Sequence, residues 1–356
     1  MCDPRRVPDQ VHSVRALRGP GFSWYDQTMS GHDAPAAPKP VRLLRKRKPA
    51  HLPVTARSIA LFRLGEQCNN DCPMCSNTGS MEAFFQPMKE VMRRVGYLQS
   101  QGVRQVVLTG GEPTIHPDFW GVVAALNQHG IRWDINTHGR SFSDTDFADQ
   151  AVFEGLGRAI VSFHSHIEDA SMVISGTNSR GHYETIEGIK NLLERDVWLM
   201  LNYVMTRQNQ GTLLEYLGYC ATNFGTKYQV KVVFPSTAGK GGQWDGIQFR
   251  FHEVQSEIVE AQARAEELGI TLVFEGFPNC ILGDAKHKNI SRSGFGETHY
   301  LDDVSGNDLY PIQFIEAEFS AYPESCVDCA AIKQCPGIAR SYLNTYGAGE
   351  FVPFPS

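Results

Sequence analysis

No run of eighteen apolar residues occurs anywhere in the chain, so no segment is expected to cross a bilayer as a helix. The first residues, Met1-Cys2-Asp3-Pro4-Arg5-Arg6, bring charge and proline and no apolar secretion core, so export is not expected and a cytoplasmic location is. Strong charge of one sign is missing too: 33 Lys/Arg stand against 39 Asp/Glu. A hydrophobic share of 42% over 356 residues excludes disorder throughout and suits one large domain plus a smaller one. Cysteine is the residue that asks for an explanation. Nine of them in a chain without an export signal favour metal or redox use over a disulfide framework.

The charge is unevenly spread. Residues 1–50 hold ten Lys/Arg and four Asp, and the remainder holds 23 basic and 35 acidic residues. The basic run Arg42, Arg45, Lys46, Arg47 and Lys48 has no aromatic side chains interleaved for base stacking, so a solvated tail is the simpler reading than a nucleic-acid arm. The acidic body argues against an RNA substrate. Seven of the nineteen prolines fall in residues 1–52, which read as an irregular basic extension.

From residue 57 the pattern becomes regular. Arg57–Leu64, Val103–Leu108, Arg132–Asn136, Ala159–Phe163, Val197–Val204 and Tyr228–Phe234 read as strands, and Met88–Gln101, Phe119–His129, Tyr183–Arg195 and Leu213–Phe224 as helices. Six repeats of this alternation predict an α/β fold with a parallel sheet and right-handed crossovers, a partial (β/α)6 TIM-like barrel. Gly239-Lys240-Gly241-Gly242 marks a break, followed by a helix at His252–Leu268 and a strand at Ile270–Glu275. The expected organisation is therefore an extension at 1–52, a barrel at 53–240 and a small irregular C-terminal domain at 241–356.

The sharpest chemical signal is Cys68-Asn69-Asn70-Asp71-Cys72-Pro73-Met74-Cys75, directly after the first strand. Three thiolates within eight residues can hold three irons of a cubane 4Fe–4S cluster and leave the fourth open to a ligand. Zinc competes, but a closed structural zinc site takes four protein ligands, and the nearest further donor is a distant histidine.

This segment resembles the signature loop of the radical S-adenosylmethionine (SAM) superfamily, and the resemblance extends over residues 57–235. Met74 stands where the family often places an aromatic residue against adenine; a polarizable methionine can pack there as well. Thr109-Gly110-Gly111-Glu112-Pro113, after the second strand, resembles the family's GGEP motif. That implies that Gly110, Gly111 and Glu112 hold the SAM amino group, with Pro113 fixing the turn. Paired glycines permit close backbone approach and a glutamate can accept from an ammonium, whereas the plainer reading is a tight turn with a solvent-facing Glu. Asn136-Thr137-His138-Gly139 lies where family members often show Thr-Asn-Gly; His138 lines the pocket, donates a proton or simply packs. Ser162-Phe163-His164-Ser165-His166 resembles the strand-four motif that binds the SAM ribose or carboxylate, which implies Ser162 and His164 as cofactor-binding residues. A separate metal on the His-x-His run is the lesser alternative. Asn202 faces the same barrel mouth if Ser162 does.

A second group of cysteines closes the chain. Cys280 is followed, after 45 intervening residues, by Cys326-Val327-Asp328-Cys329 and then Cys335-Pro336-Gly337. Four thiolates can complete a cluster with no open iron, or bind zinc. The spacing resembles the Twitch and SPASM extensions of radical SAM enzymes. Two further clusters would need more cysteines than Cys2 and Cys220 supply, so one auxiliary 4Fe–4S cluster is expected on Cys280, Cys326, Cys329 and Cys335. Tyr342 and Tyr346 are expected to pack against this lobe.

The resemblance implies an enzyme that cleaves SAM reductively to a 5′-deoxyadenosyl radical and removes a hydrogen atom from its substrate. It also implies a small electron donor such as ferredoxin or flavodoxin. A ribosomally made peptide is the preferred substrate and a small molecule the alternative; a non-catalytic iron–sulfur or zinc protein is the rival from another class.

Overall fold

The computed structural model describes residues 43–44, 54–55, 57–76, 84–290, 298–301, 308–312 and 319–355. Apart from β1 (Leu43–Leu44), the basic extension lies outside these residues. Residues 38–356 form one compact unit.

Seven strands lie parallel and side by side in chain order: β2 (Ile59–Arg63), β3 (Gln105–Thr109), β4 (Arg132–Thr137), β5 (Leu156–Ser162), β6 (Trp198–Val204), β7 (Tyr228–Val233) and β8 (Thr271–Glu275). The crossovers are α1 (Met88–Ser100), α2 (Phe119–Gln128), α3 (Thr145–Phe153), the pair α4 (Glu168–Ser175) and α5 (Ser179–Glu194), α6 (Leu213–Phe224) and α7 (Phe251–Leu268). β9 (Thr298–Leu301) adds parallel to β2, and β10 (Leu309–Pro311) pairs antiparallel with β9. The nine-stranded sheet ends on β10 and β8, so it is an open, partial barrel, as the sixfold alternation predicts.

Strand alternation sorts the side chains. Phe62, Leu108, Ile135, Val161, Leu201, Val232 and Phe274 are buried in the core shared with the helices. Their neighbours Arg63, Thr109, Asn136, Ser162, Asn202, Lys231 and Glu275 fall on the opposite, concave face. Near-continuous apolar strands would suit a sheet covered on both sides; a polar inner face is a surface for a ligand.

The short elements carry no period to read. α4 has eight residues, and its signals are acidic residues in the first turn and Gly176 as left-handed C-cap. β8 extends the barrel sheet past residue 240, pairing with β7 from Gln229↔Thr271 to Val233↔Glu275. Within the C-terminal stretch, the short α8 (Asn279–Leu282) carries Cys280, β11 (Ser320–Pro323) pairs antiparallel with β1 and with β12 (Ile338–Ala339), and α9 (Arg340–Tyr346) follows. Strands of two to four residues, one of them with its partner hundreds of residues away, are invisible to local pattern.

An aromatic cluster joins this stretch to the barrel. Phe251 stacks on Phe234 at 4.2 Å between ring centroids and meets Tyr342 at 4.6 Å and Phe351 at 5.7 Å. The Phe251 amide donates to the Tyr342 hydroxyl at 3.0 Å, which itself bonds Glu350, so both tyrosines of the tail serve packing, Tyr346 meeting Tyr342 in a tilted contact at 4.8 Å between centroids. Phe251→Ala should cost about 3–5 kcal/mol, the range for truncating a fully buried aromatic. A urea midpoint equal to that of the wild type would contradict this account of the junction.

Candidate metal centres and cofactor site

The cysteine loop leaves β2 and has little hydrogen bonding of its own. Cys75 N–H reaches Cys72 O at 3.2 Å and Asn70 N–H reaches Cys68 Sγ at 3.4 Å. Its shape comes from neighbouring loops. Gly111 N–H donates to Gly65 O at 2.9 Å and Glu112 N–H to Gln67 O at 2.8 Å. A Cβ on Gly111 would lie 2.1 Å from Gln67 O, and one on Gly110, whose φ is +139°, would lie 2.4 Å from Gly65 O. The close approach these glycines allow is thus first to the chain's own backbone at the root of the cysteine loop. On the far side, Asp71 N–H donates to Gly176 O at 3.1 Å and Cys72 Sγ lies 3.2 Å from Ser175 O, at the end of α4. Gly241 N–H donates to Cys75 O at 3.2 Å, and Lys240 pairs with Asp71.

Glu112 is buried, with 2% of its surface exposed. Its Oε1 accepts from Thr114 N–H (3.1 Å), Thr114 Oγ1 (2.7 Å) and Thr137 Oγ1 (2.8 Å), and its Oε2 accepts from His138 N–H (2.9 Å). The carboxylate therefore fastens the turn after β3 to the turn after β4. A solvent-facing Glu, the plainer expectation, is not what the fold builds.

Ser162 and Asn202 are register partners on β5 and β6, so they share the concave face, and Asn202 pairs onward with Lys231. Asn136 Oδ1 and Asn202 Oδ1 are buried without a hydrogen-bond partner among the described residues. Orphaned acceptors flanking a serine are what a polar ligand would satisfy. His164 is deeply buried. Its Nδ1 accepts from Val204 N–H at 3.2 Å, and burial pushes its pKa down to about 4, so the ring is neutral near pH 7. His166 does not stay beside it: it leans on Tyr219 at 5.4 Å between centroids, against α6, so the His-x-His run does not converge on one metal. Met74 packs with Ile174 and Ile247 in a small core of its own.

The donor set fits a cationic cluster. Burial pushes the Cys68 thiol up to about 11 and the Cys72 thiol up to about 12, with the neighbouring cysteines adding to the rise. Thiols so placed would ionise only beside positive charge, of the kind iron would supply. Cys280, Cys326, Cys329 and Cys335 line one cavity, together with Tyr322, Phe351 and Phe354. Burial, then the neighbouring Cys335, pushes Cys280 up to about 12 and Cys326 up to about 11. Tyr322 Oη donates to Cys335 O at 2.7 Å, and Ala330 N–H to Phe354 O at 3.2 Å, so the tail folds over the cavity wall.

Arg140, through Asn69 O and Asn70 Oδ1, and Gly176, Lys240 and Gly241 all hold the cysteine loop, a task that no local pattern in the sequence assigns to them. Arg140 adjoins the Thr-His-Gly turn, and Lys240-Gly241 sits in the glycine run that reads as a break; these positions were the available signals.

Replacing Glu112 by Ala leaves buried Thr137 and His138 donors unpaired. The expected result is about 1–3 kcal/mol less stability and SAM affinity weakened about ten- to hundredfold, with cysteine-bound iron retained. Equilibrium dialysis giving an unchanged SAM dissociation constant would remove Glu112 from the cofactor site.

Comparison with known proteins places this geometry. Residues 62–220 match the family model of the Radical SAM superfamily. The chain is 29% identical over 197 residues to the probable GTP 3′,8-cyclase of Saccharolobus islandicus (strain M.14.25 / Kamchatka #1), covering 54% of this chain and 60% of that protein. It is 30% identical over 201 residues to that of Saccharolobus solfataricus, covering 55% and 62%. The chain thus spans about 60% of the length of the curated relatives it matches. Among solved structures, anSMEcpe with bound AdoMet and Cp18Cys peptide aligns with a TM-score of 0.58 at 12% identity, over 83% of this chain and 92% of that one. SuiB of Streptococcus suis bound to S-adenosylmethionine aligns with a TM-score of 0.55 at 15% identity, over 84% and 76%. At such identities these two structures speak to the fold. The sequence match, the open parallel barrel and the cysteine loop at the end of its first strand make residues 62–220 a radical SAM domain.

Proposed function

We propose that the chain is a radical SAM enzyme whose Cys68, Cys72 and Cys75 hold the SAM-binding 4Fe–4S cluster and whose Cys280, Cys326, Cys329 and Cys335 hold an auxiliary one. The observation that carries the reading is the convergence of the cysteine loop, the Gly110–Glu112 turn and the polar inner face at one end of the sheet. Held by these residues, cluster and SAM would supply radical hydrogen-abstraction chemistry, with the electron coming from an external donor. The residues of the chain bind and orient. The Gly110-Gly111-Glu112 turn presents its backbone beside the cysteine loop and would hold the SAM amino group. Ser162, in register with Asn202, takes the ribose or carboxylate. His164, neutral and bonded to Val204 N–H, shapes the wall behind Ser162. The barrel, whose sheet takes in β8 and β9 beyond residue 240, would exclude water from the reacting centre, and the C-terminal part of the chain carries the second set of thiols.

The preferred substrate is a peptide, with a small molecule second. The solved structure with a bound peptide matches over 92% of its own length, so the likeness takes in its outer parts, whereas the cyclase relatives match over about half of this chain. A small iron–sulfur or flavin protein would supply the electron. No helix among the described residues is long and apolar enough to cross a membrane.

Anaerobic reconstitution should load about eight irons per chain, four for each cubane cluster. Changing Cys68, Cys72 and Cys75 to Ala should leave about four and abolish SAM cleavage. About four irons with one stoichiometric zinc in the unaltered protein would refute the auxiliary cluster.

Cys329→Ala should loosen residues 319–355 to limited proteolysis while the barrel stays folded, because ligation adds folding energy where regular hydrogen bonding is sparse. SAM cleavage without substrate should persist and turnover of the substrate should fall. Normal turnover by this variant would show that the second set of cysteines is dispensable.

A further inference from the structure

His138 is bonded at all four of its polar atoms. Its N–H donates to Glu112 Oε2 at 2.9 Å, and its carbonyl accepts from Thr185 Oγ1 at 3.0 Å. Arg140 N–H donates to Nδ1 at 3.2 Å. A backbone N–H can only donate, so Nδ1 must be the unprotonated nitrogen. The proton of the neutral ring therefore sits on Nε2, which faces Asn69 Oδ1 at 2.6 Å and lies 3.4 Å from Glu112 Oε2. Burial, the dominant effect, holds the ring below its ordinary pKa although the Glu112 carboxylate pulls the other way.

Asn69 lies between Cys68 and Cys72, in a stretch of the loop held within itself by the long Asn70 N–H to Cys68 Sγ contact at 3.4 Å. Its carbonyl accepts from Arg140 Nη1 at 3.0 Å, and the same guanidinium reaches Asn70 Oδ1 at 2.9 Å and Glu184 at 2.7 Å. The turn after β4 thus grips the cysteine loop twice. One grip is a half-buried guanidinium; the other is a buried imidazole whose tautomer is dictated by the backbone.

We infer that His138 is a positioning residue, whose Nε2–H to Asn69 bond sets the shape of the Cys68–Cys72 segment and links it, through Glu112, to the turn after β3. This rests on the reading of Cys68, Cys72 and Cys75 as cluster ligands. His138 itself touches no ligand in this account; it acts through Asn69.

Two substitutions separate the two ring nitrogens. An Asn side-chain oxygen falls near the place of Nδ1 and can still accept from Arg140 N–H, but it leaves Asn69 without its donor. A Gln side-chain nitrogen falls near the place of Nε2 and can still donate to Asn69. With protein reconstituted anaerobically, His138→Asn should bind SAM about tenfold more weakly, and the EPR spectrum of its reduced cluster should broaden or shift. His138→Gln should restore both towards wild type. Asn69→Ala should reproduce His138→Asn, and the double variant should lose no more than either single one, the mark of a shared interaction. A wild-type spectrum and SAM affinity in His138→Asn, equal damage in His138→Gln, or additive losses in the double variant would each overturn the inference. Wild-type protein that takes up no iron, or takes it up unchanged after Cys68→Ala, would instead overturn the underlying reading of the cysteine loop and this inference with it. If His138→Asn fails to fold, the Asn69→Ala and His138→Gln measurements decide alone.

Discussion

Backbone packed on backbone between residues 65–67 and 110–112 is the constraint on which the rest of the site depends. The cysteine loop has to hold three thiols in one arrangement, yet it is too short and too irregular to fix itself. Two peptide N–H groups from the Gly110–Glu112 turn satisfy the carbonyls at its root, at a separation that no side chain beyond hydrogen would permit. A chain of contacts is built outward from there: Glu112 follows directly, its carboxylate reaches the turn after β4, and that turn reaches back to Asn69.

Such a closed ring of buried polar bonds is costly when broken and specific when whole. Glu112 has four donors within 3.1 Å and no water-facing oxygen to spare, so its contribution is one of alignment. The inner face differs. Asn136 and Asn202 keep buried oxygens without partners there, Ser162 stands between their strands, and the Lys231–Glu275 pair at 2.8 Å lies further along the row. The fold thus spends its satisfied polar groups on shaping the cysteine loop and leaves unsatisfied ones where a ligand would sit.

Contact between the cysteine loop and the C-terminal stretch runs through residues 236–243. Gly241 and Lys240 meet Cys75 and Asp71 at one end, and Thr237 Oγ1 meets Ser341 Oγ of α9 at 2.7 Å at the other. Together with the Phe234–Phe251–Tyr342 stack, this makes the segment after β7 a joint rather than a free linker. The glycine run does mark a change in the chain, from regular barrel to cysteine-bearing lobe, but its glycines serve close packing: a Cβ on Gly241 would lie 2.6 Å from Ser236 O.

By itself the sequence determined the alternation of strands and helices, the parallel sheet, the order of the motifs and both sets of cysteines. Each of these is local: a period of two or 3.6 residues, a turn of glycine, a spacing of thiols. Bounds were within a few residues at β2, α1, β6, α6 and α7. Tertiary structure alone decided that β8 joins the barrel sheet and that His166 leans on α6 while His164 stays in, and it brings Cys280 to the one cavity with the three cysteines the sequence had grouped with it. It alone also assigned Glu112 four internal donors and gave His138, Arg140 and Gly176 to the cysteine loop. These depend on which loops the closed packing brings together at one end of the sheet, and no local pattern encodes a partner that lies 70 or 100 residues away.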